Sequence, residues 1–169
     1  MQTSIALHVD DLMVTSESLE DLDAFGLYIE TRSTSGTILD YVGMTFDFAT
    51  VGEVRITMDK CVDDILSGYG VMTTKVTPGA VVLFDFRDAP RATELETKWF
   101  HTHVAKILYL AKRVKPECLT AVAFLSTRVT VADIDDLATL RRLLGYTKHT
   151  RTRGHSPSYR SHHDRQSIH

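Results

Sequence analysis

The chain has 169 residues and a mass of 19.0 kDa, enough for one ordinary domain or two small lobes. At 43% hydrophobic and 24% charged residues it has a globular composition, which excludes a wholly disordered chain, a collagen-like repeat and a disulfide scaffold. The net charge of −3 hides a division: residues 1–70 carry 3 Lys and Arg against 13 Asp and Glu, a balance of −10, and residues 71–169 carry 16 against 9, a balance of +7. Such a split allows a cation site in the front of the chain and a polyanion contact in the back.

In chain order, Ile5, Leu7 and Val9 alternate along a first β-run, Asp10-Asp11 interrupts it, and Leu12-Met13-Val14-Thr15 resumes it. This predicts a hairpin with acids at its tip. Ser18 with Asp21 three residues on forms an N-cap pattern, opening a helix towards Arg32 whose Leu19, Leu22, Phe25 and Ile29 face the core. Ser33–Gly36 reads as a loop. Val42, Met44, Phe46 and Phe48 at period two, a turn at Thr50–Glu53, and Val54, Ile56 and Met58 at period two predict a second hairpin.

Asp59 is placed to cap a short helix carrying Cys61, Val62, Ile65, Leu66 and Tyr69. From Val71 to Arg91 the pattern weakens into an irregular connection with Pro78-Gly79 and Pro90, where a lobe boundary fits. Beyond it three helices are expected: one from about Trp99 to Val114 closed by Pro116, one with Leu119, Val122 and Leu125, and one entered through Asp133 and running up to Gly145. After Gly154 the tail has no apolar period and is expected to be disordered. No apolar run approaches the ~18 residues of a membrane span, and no signal peptide is visible. Cys61 and Cys118 match no metal spacing and read as free thiols of a reducing, intracellular compartment, cytoplasmic or nuclear.

Two adjacent acids between β-formers repel each other, and a hard divalent cation between their oxygens relieves that repulsion. Val62-Asp63-Asp64 repeats the Val9-Asp10-Asp11 tripeptide on a helix, where the acids read as a solvated face. His101, His103 and His162-His163 read as solvent-exposed rather than metal-bound, and no glycine-rich phosphate loop or nucleophile motif is present.

Leu7-His8-Val9-Asp10-Asp11-Leu12-Met13-Val14 resembles the aromatic-x-Asp-Asp hairpin of reverse transcriptases, with His8 where that family usually has Tyr or Phe. The helix after it, and Leu39-Asp40-Tyr41-Val42-Gly43-Met44-Thr45-Phe46, resemble the next palm helix and the primer-grip hairpin. Phe100–Ala111, Arg113–Glu117, Ala121–Ser126 and Leu140–Thr150 resemble the stretch after the palm in copia-type retrotransposon polyproteins.

The resemblance implies an α+β fragment in four parts. Residues 1–58 would be a partial palm with two hairpins, 59–98 a thumb helix and connection, 99–154 a helical connection lobe, and 155–169 a disordered tail. It implies nucleotidyl transfer by two-metal chemistry in an intact RNA-directed DNA polymerase, with Asp10 and Asp11 as catalytic magnesium ligands and Tyr41, Val42, Gly43 and Met44 in the primer grip. The family's first catalytic aspartate and its fingers would lie upstream of Met1, and its RNase H segment after Gly154. The isolated chain is therefore expected to be inactive. Lys106, Lys112, Arg113, Lys115, Arg141, Arg142 and Lys148 are the expected phosphate contacts to an RNA/DNA template-primer, with nucleotides as the other partners of the parent, no cofactor beyond magnesium and no membrane. The alternatives are a non-catalytic nucleic-acid or protein-binding remnant and an unrelated metal-dependent hydrolase using Asp10-Asp11.

Overall fold

The computed structural model describes residues 3–16, 18–28, 36–67, 73–80, 83–85 and 89–154. It is an α+β chain with two small antiparallel sheets and five α-helices among those residues. Contacts divide the chain between Ile56 and Thr57 into two compact units. The tail expected to be disordered, the helix end beyond Tyr28 and Val81-Val82 lie outside the described residues.

In the first unit, β1 (Thr3–His8) and β2 (Asp11–Ser16) form a two-stranded sheet paired from Thr3↔Ser16 to His8↔Asp11, so the loop is Val9-Asp10 alone. The helix α1 (Leu19–Tyr28) follows, and the Ser18 hydroxyl accepts from the Asp21 amide at 3.3 Å as the N-cap pattern requires. A three-stranded sheet then forms in the order β3 (Ile38–Tyr41), β4 (Met44–Asp47), β5 (Arg55–Thr57).

Here the structure departs from the sequence expectation. The period-two run from Tyr41 to Phe48 is not one strand. The chain reverses at Val42-Gly43, both at positive φ (50° and 72°), which are the conformations of a type I′ turn. Across a two-residue loop residue i pairs with i+3, so Leu39 and Tyr41 share a face with Met44 and Phe46; Val42, in the loop, falls in step with the even-numbered run of β4 and hides the reversal from periodicity.

No described residue of the first unit is buried; the apolar core of the chain begins at Met58. The second unit owns that core. The helix α2 (Asp59–Leu66) contributes Val62 and Ile65. Its N-cap position is Met58, and Asp59 lies in the first turn instead of capping it.

The helix α3 (Glu94–Ala111) buries Phe100, Val104, Ile107 and Ala111 at helical spacing. It starts five residues before the expected Trp99 because Thr93 and Glu96 form a capping box: the Thr93 amide donates to Glu96 Oε2 at 2.9 Å and the Glu96 amide to Thr93 Oγ1 at 3.3 Å. A 3₁₀ turn at Pro116–Cys118 leads into α4 (Leu119–Thr127), with Ala121, Val122 and Leu125 inside. The helix α5 (Ile134–His149) is entered through a second capping box, Asp133 with Asp136.

Gly145 does not end α5. The segment 73–80 lies along this helix, where the Lys75 amide donates to the Gly145 carbonyl at 3.2 Å, and a Cβ on Gly145 would stand 2.5 Å from the Thr73 carbonyl oxygen. The glycine stands at a backbone crossing rather than at a helix stop.

Candidate functional site

The Asp10-Asp11 tip is built by its hairpin. A two-residue loop demands an unusual backbone, and Val9 meets the demand at φ 55°, in the left-handed region that a β-branched side chain rarely enters. Asp10 is the second loop residue and Asp11 the first of β2, opposite His8. Both carboxylates are exposed, and among the described residues neither has a hydrogen-bond or ion-pair partner.

Asp40, Asp47 and Asp59, acids that follow in the chain, are accounted for locally. Asp40 Oδ1 accepts from Thr45 Oγ1 at 2.6 Å across the β3–β4 pair, and Asp47 Oδ1 accepts from the Ala49 amide at 2.9 Å. Asp59 sits in the first turn of α2. The second Val-Asp-Asp is exposed as expected, yet both of its acids are engaged: Asp63 Oδ2 lies 2.7 Å from Arg151 and Asp64 Oδ2 lies 2.7 Å from Lys106. Asp10-Asp11 is thus the tandem pair with no structural employment. Paired carboxylates are a donor set from which magnesium is held when phosphate oxygens and water complete its octahedron, so the residues fit that ion in kind. Among the described residues no group of three or more His, Cys, Asp or Glu side chains converges.

Tyr41, Val42, Gly43 and Met44, the residues expected in a primer grip, fall on the other tight turn of the first unit. Tyr41 and Met44 are the closing pair of β3 and β4, and Val42-Gly43 is the loop between them. Tyr41 packs edge-on to Phe46 at 6.4 Å, and Phe46 stacks on Phe48.

The seven cations expected to contact phosphate separate into several kinds. Lys115 is enclosed, 1% exposed, its ammonium donating to the Thr150 carbonyl at 2.6 Å and the Arg153 carbonyl at 3.0 Å. It satisfies the carbonyls at the end of α5 and is out of reach of a phosphate, a correction to the sequence expectation. Burial lowers its pKa. Lys106 is held by Asp64, and Arg142 donates to Thr77 Oγ1 at 2.7 Å. Arg113 lies with its guanidinium carbon 3.7 Å above the Tyr109 ring. Lys112, Arg141 and Lys148 have exposed side chains.

Nothing in the sequence pattern marked the Arg128 cluster. Arg128 reaches Asp133 Oδ2 at 2.9 Å and Asp136 Oδ2 at 3.0 Å, tying the end of α4 to the cap of α5. The signal available was the Asp-x-x-Asp spacing of that cap.

Comparison with protein-family models, curated proteins and solved structures finds no match to this chain. No helix among the described residues is long and apolar enough to cross a membrane.

Proposed function

We propose that the chain derives from a copia-type RNA-directed DNA polymerase, as part of its palm followed by its thumb and connection helices. On this reading nucleotidyl transfer by two-metal chemistry belongs to the intact parent, and the chain alone lacks polymerase activity. One observation carries the reading: two adjacent acids without a partner among the described residues at a tight hairpin turn, Asp10 in its two-residue loop and Asp11 opening β2, while Asp40 and Asp47 have local work. Asp10 and Asp11 would hold magnesium, which when bound supplies the positive charge that stabilises the attacking 3′ oxygen and the leaving pyrophosphate. The tight turn at Val42-Gly43 would steady a primer strand, and Lys112, Arg113, Arg141 and Lys148 would meet backbone phosphates without reading sequence.

Titration with manganese as a paramagnetic stand-in tests the metal site. Amide signals of residues 8–12 should broaden first, and Asp10→Asn with Asp11→Asn should abolish the effect. Broadening centred elsewhere overturns the assignment. Purified chain with primed RNA and magnesium should give no extension; extension lost in Asp10→Asn would show that the acids at the tip suffice.

A second reading, a non-catalytic nucleic-acid-binding remnant, is favoured by the fact that, among the described residues, every buried one lies in the second unit. It predicts magnesium-independent binding of a primed duplex that survives Asp10→Asn. That binding should weaken with salt by about 0.9 log–log units per neutralised phosphate.

A further inference from the structure

We propose that, on the reading of the helical unit as a surface for backbone phosphates, Asp63 and Asp64 of α2 regulate that surface by holding Lys106 and Arg151 back from a nucleic acid. The two acids are neighbours in sequence and reach in two directions. Asp64 Oδ2 accepts from the Lys106 ammonium of α3 at 2.7 Å, and Asp63 Oδ2 accepts from the Arg151 guanidinium, past the end of α5, at 2.7 Å.

The fold does not need these pairs to seat α2. Met58, Val62 and Ile65 are at most 3% exposed and already fix the helix to the core. The ion pairs stand in water instead: the Lys106 and Arg151 side chains are 38% and 51% exposed, and their acids 63% and 53%. Pairs this open contribute little to folding, because solvent and salt screen both charges. The Arg128 pairs are the contrast, with acids 12% and 7% exposed between two elements.

Each screened cation adjoins one of the proposed phosphate contacts. Arg113 follows Lys106 by seven residues, about two helical turns. Burial and Asp64 raise the pKa of the Cys61 thiol on α2 while Lys106 and Arg113 pull it back, so both cations stand close to that helix. Arg151 follows Lys148 by three residues, its amide donating to the Lys148 carbonyl at 3.3 Å. Freed of the acids, Lys106 and Arg151 would extend the same positive surface. With the acids in place, a phosphate that reaches either cation meets a carboxylate beside it, like charge against like.

Fluorescence anisotropy of a labelled DNA duplex, titrated with the full chain across a salt series, tests the screen. Asp63→Asn with Asp64→Asn should tighten binding at low salt by roughly an order of magnitude or more and steepen the log–log slope by about 1.8, two phosphates at about 0.9 each. Lys106→Ala with Arg151→Ala should leave the native slope unchanged and abolish the gain of the Asn pair. Asp85→Asn with Asp135→Asn removes the same charge from two exposed acids that pair with no cation among the described residues, and should give no such gain. Helical circular dichroism identifies any variant that fails to fold, and the Lys106→Ala, Arg151→Ala chain tests the screen without the Asn pair. Native binding with an Asn pair that changes nothing overturns the screen and leaves the phosphate surface standing. So does a gain matched by the Asp85, Asp135 control, or a native slope that falls when Lys106 and Arg151 are removed. Absence of binding at low salt by both the native chain and the Asn pair overturns the phosphate surface itself, and the screen with it.

Discussion

Single residues decide whether the helical unit holds together, and Gly145 and Cys118 make this measurable. A methyl group on Gly145 meets a carbonyl oxygen at 2.5 Å, and that oxygen belongs to backbone, so the crossing must open to admit it. Gly145→Ala should destabilise the unit by about 1–3 kcal/mol, the usual cost of overpacking, against the small gain in helix propensity that alanine brings elsewhere. The midpoint of urea unfolding checks this. Cys118 is fully buried, and burial pushes its thiol up to about 12 from an ordinary 9.0. Its folded pKa lies above the unfolded one, so its contribution is present below pH 9 and is lost as pH rises towards 12, by up to roughly 4 kcal/mol. Lys115 works the other way: its pKa is lowered by burial, so stability rises with pH through that lowered value up to 10.5. Urea unfolding at pH 8, 9 and 10 should show that replacing Cys118 by Ala makes the change of stability with pH more positive than in the native chain, because the Cys118 decline is removed and the Lys115 rise is kept.

At the scale of elements, the two hairpins share one device: a valine at positive φ opens each two-residue loop, at Val9 and at Val42. A left-handed conformation costs a side chain with a Cβ roughly 1–2 kcal/mol, and in neither hairpin does burial within a core offset it. Val42→Asn creates the Asn-Gly pair that type I′ turns favour. It should stabilise the β3–β4 hairpin by about 1 kcal/mol, seen as slower amide exchange at Met44–Phe46. The same logic explains why the Val42 reversal escaped a reading by periodicity: Val-Gly is a poor advertisement for a turn that Asn-Gly would have announced. Thr93-x-x-Glu96, by contrast, was legible as a cap. An apolar period cannot find a helix start whose first turn is Glu94-Leu95-Glu96, with Leu95 pointing to solvent.

Across the whole molecule the two units are unequal. The unit from Thr57 on buries Phe100, Leu110, Leu125, Leu140 and their neighbours, while no described residue before Thr57 is buried. A chain of residues 57–154 should therefore melt cooperatively with helical circular dichroism, whereas residues 1–56 alone should show no cooperative transition, since small strand assemblies without a covered face are marginal in water. A sharp melt of 1–56 would mean that the sheets have a cover of their own.

What the sequence determined by itself is what depends on near neighbours. The Ile5-Leu7-Val9 alternation broken by two acids determined the first hairpin and put Asp10-Asp11 at its tip. Asp133-x-x-Asp136 determined where α5 begins, because a cap is made within four residues. The tertiary structure decided whatever depends on a partner distant in sequence. Asp63 and Asp64 share a tripeptide with Asp10 and Asp11, and only the arrival of Arg151 and Lys106 sets the two pairs apart. Lys115 reads as a surface cation until the end of α5 closes over it, and Gly145 reads as a helix stop until the Thr73–Lys75 backbone crosses it. An isolated stretch of sequence records the charge of a side chain and the freedom of a backbone, but not which group will stand within three ångströms of it. That distance separates an idle carboxylate from one already in use.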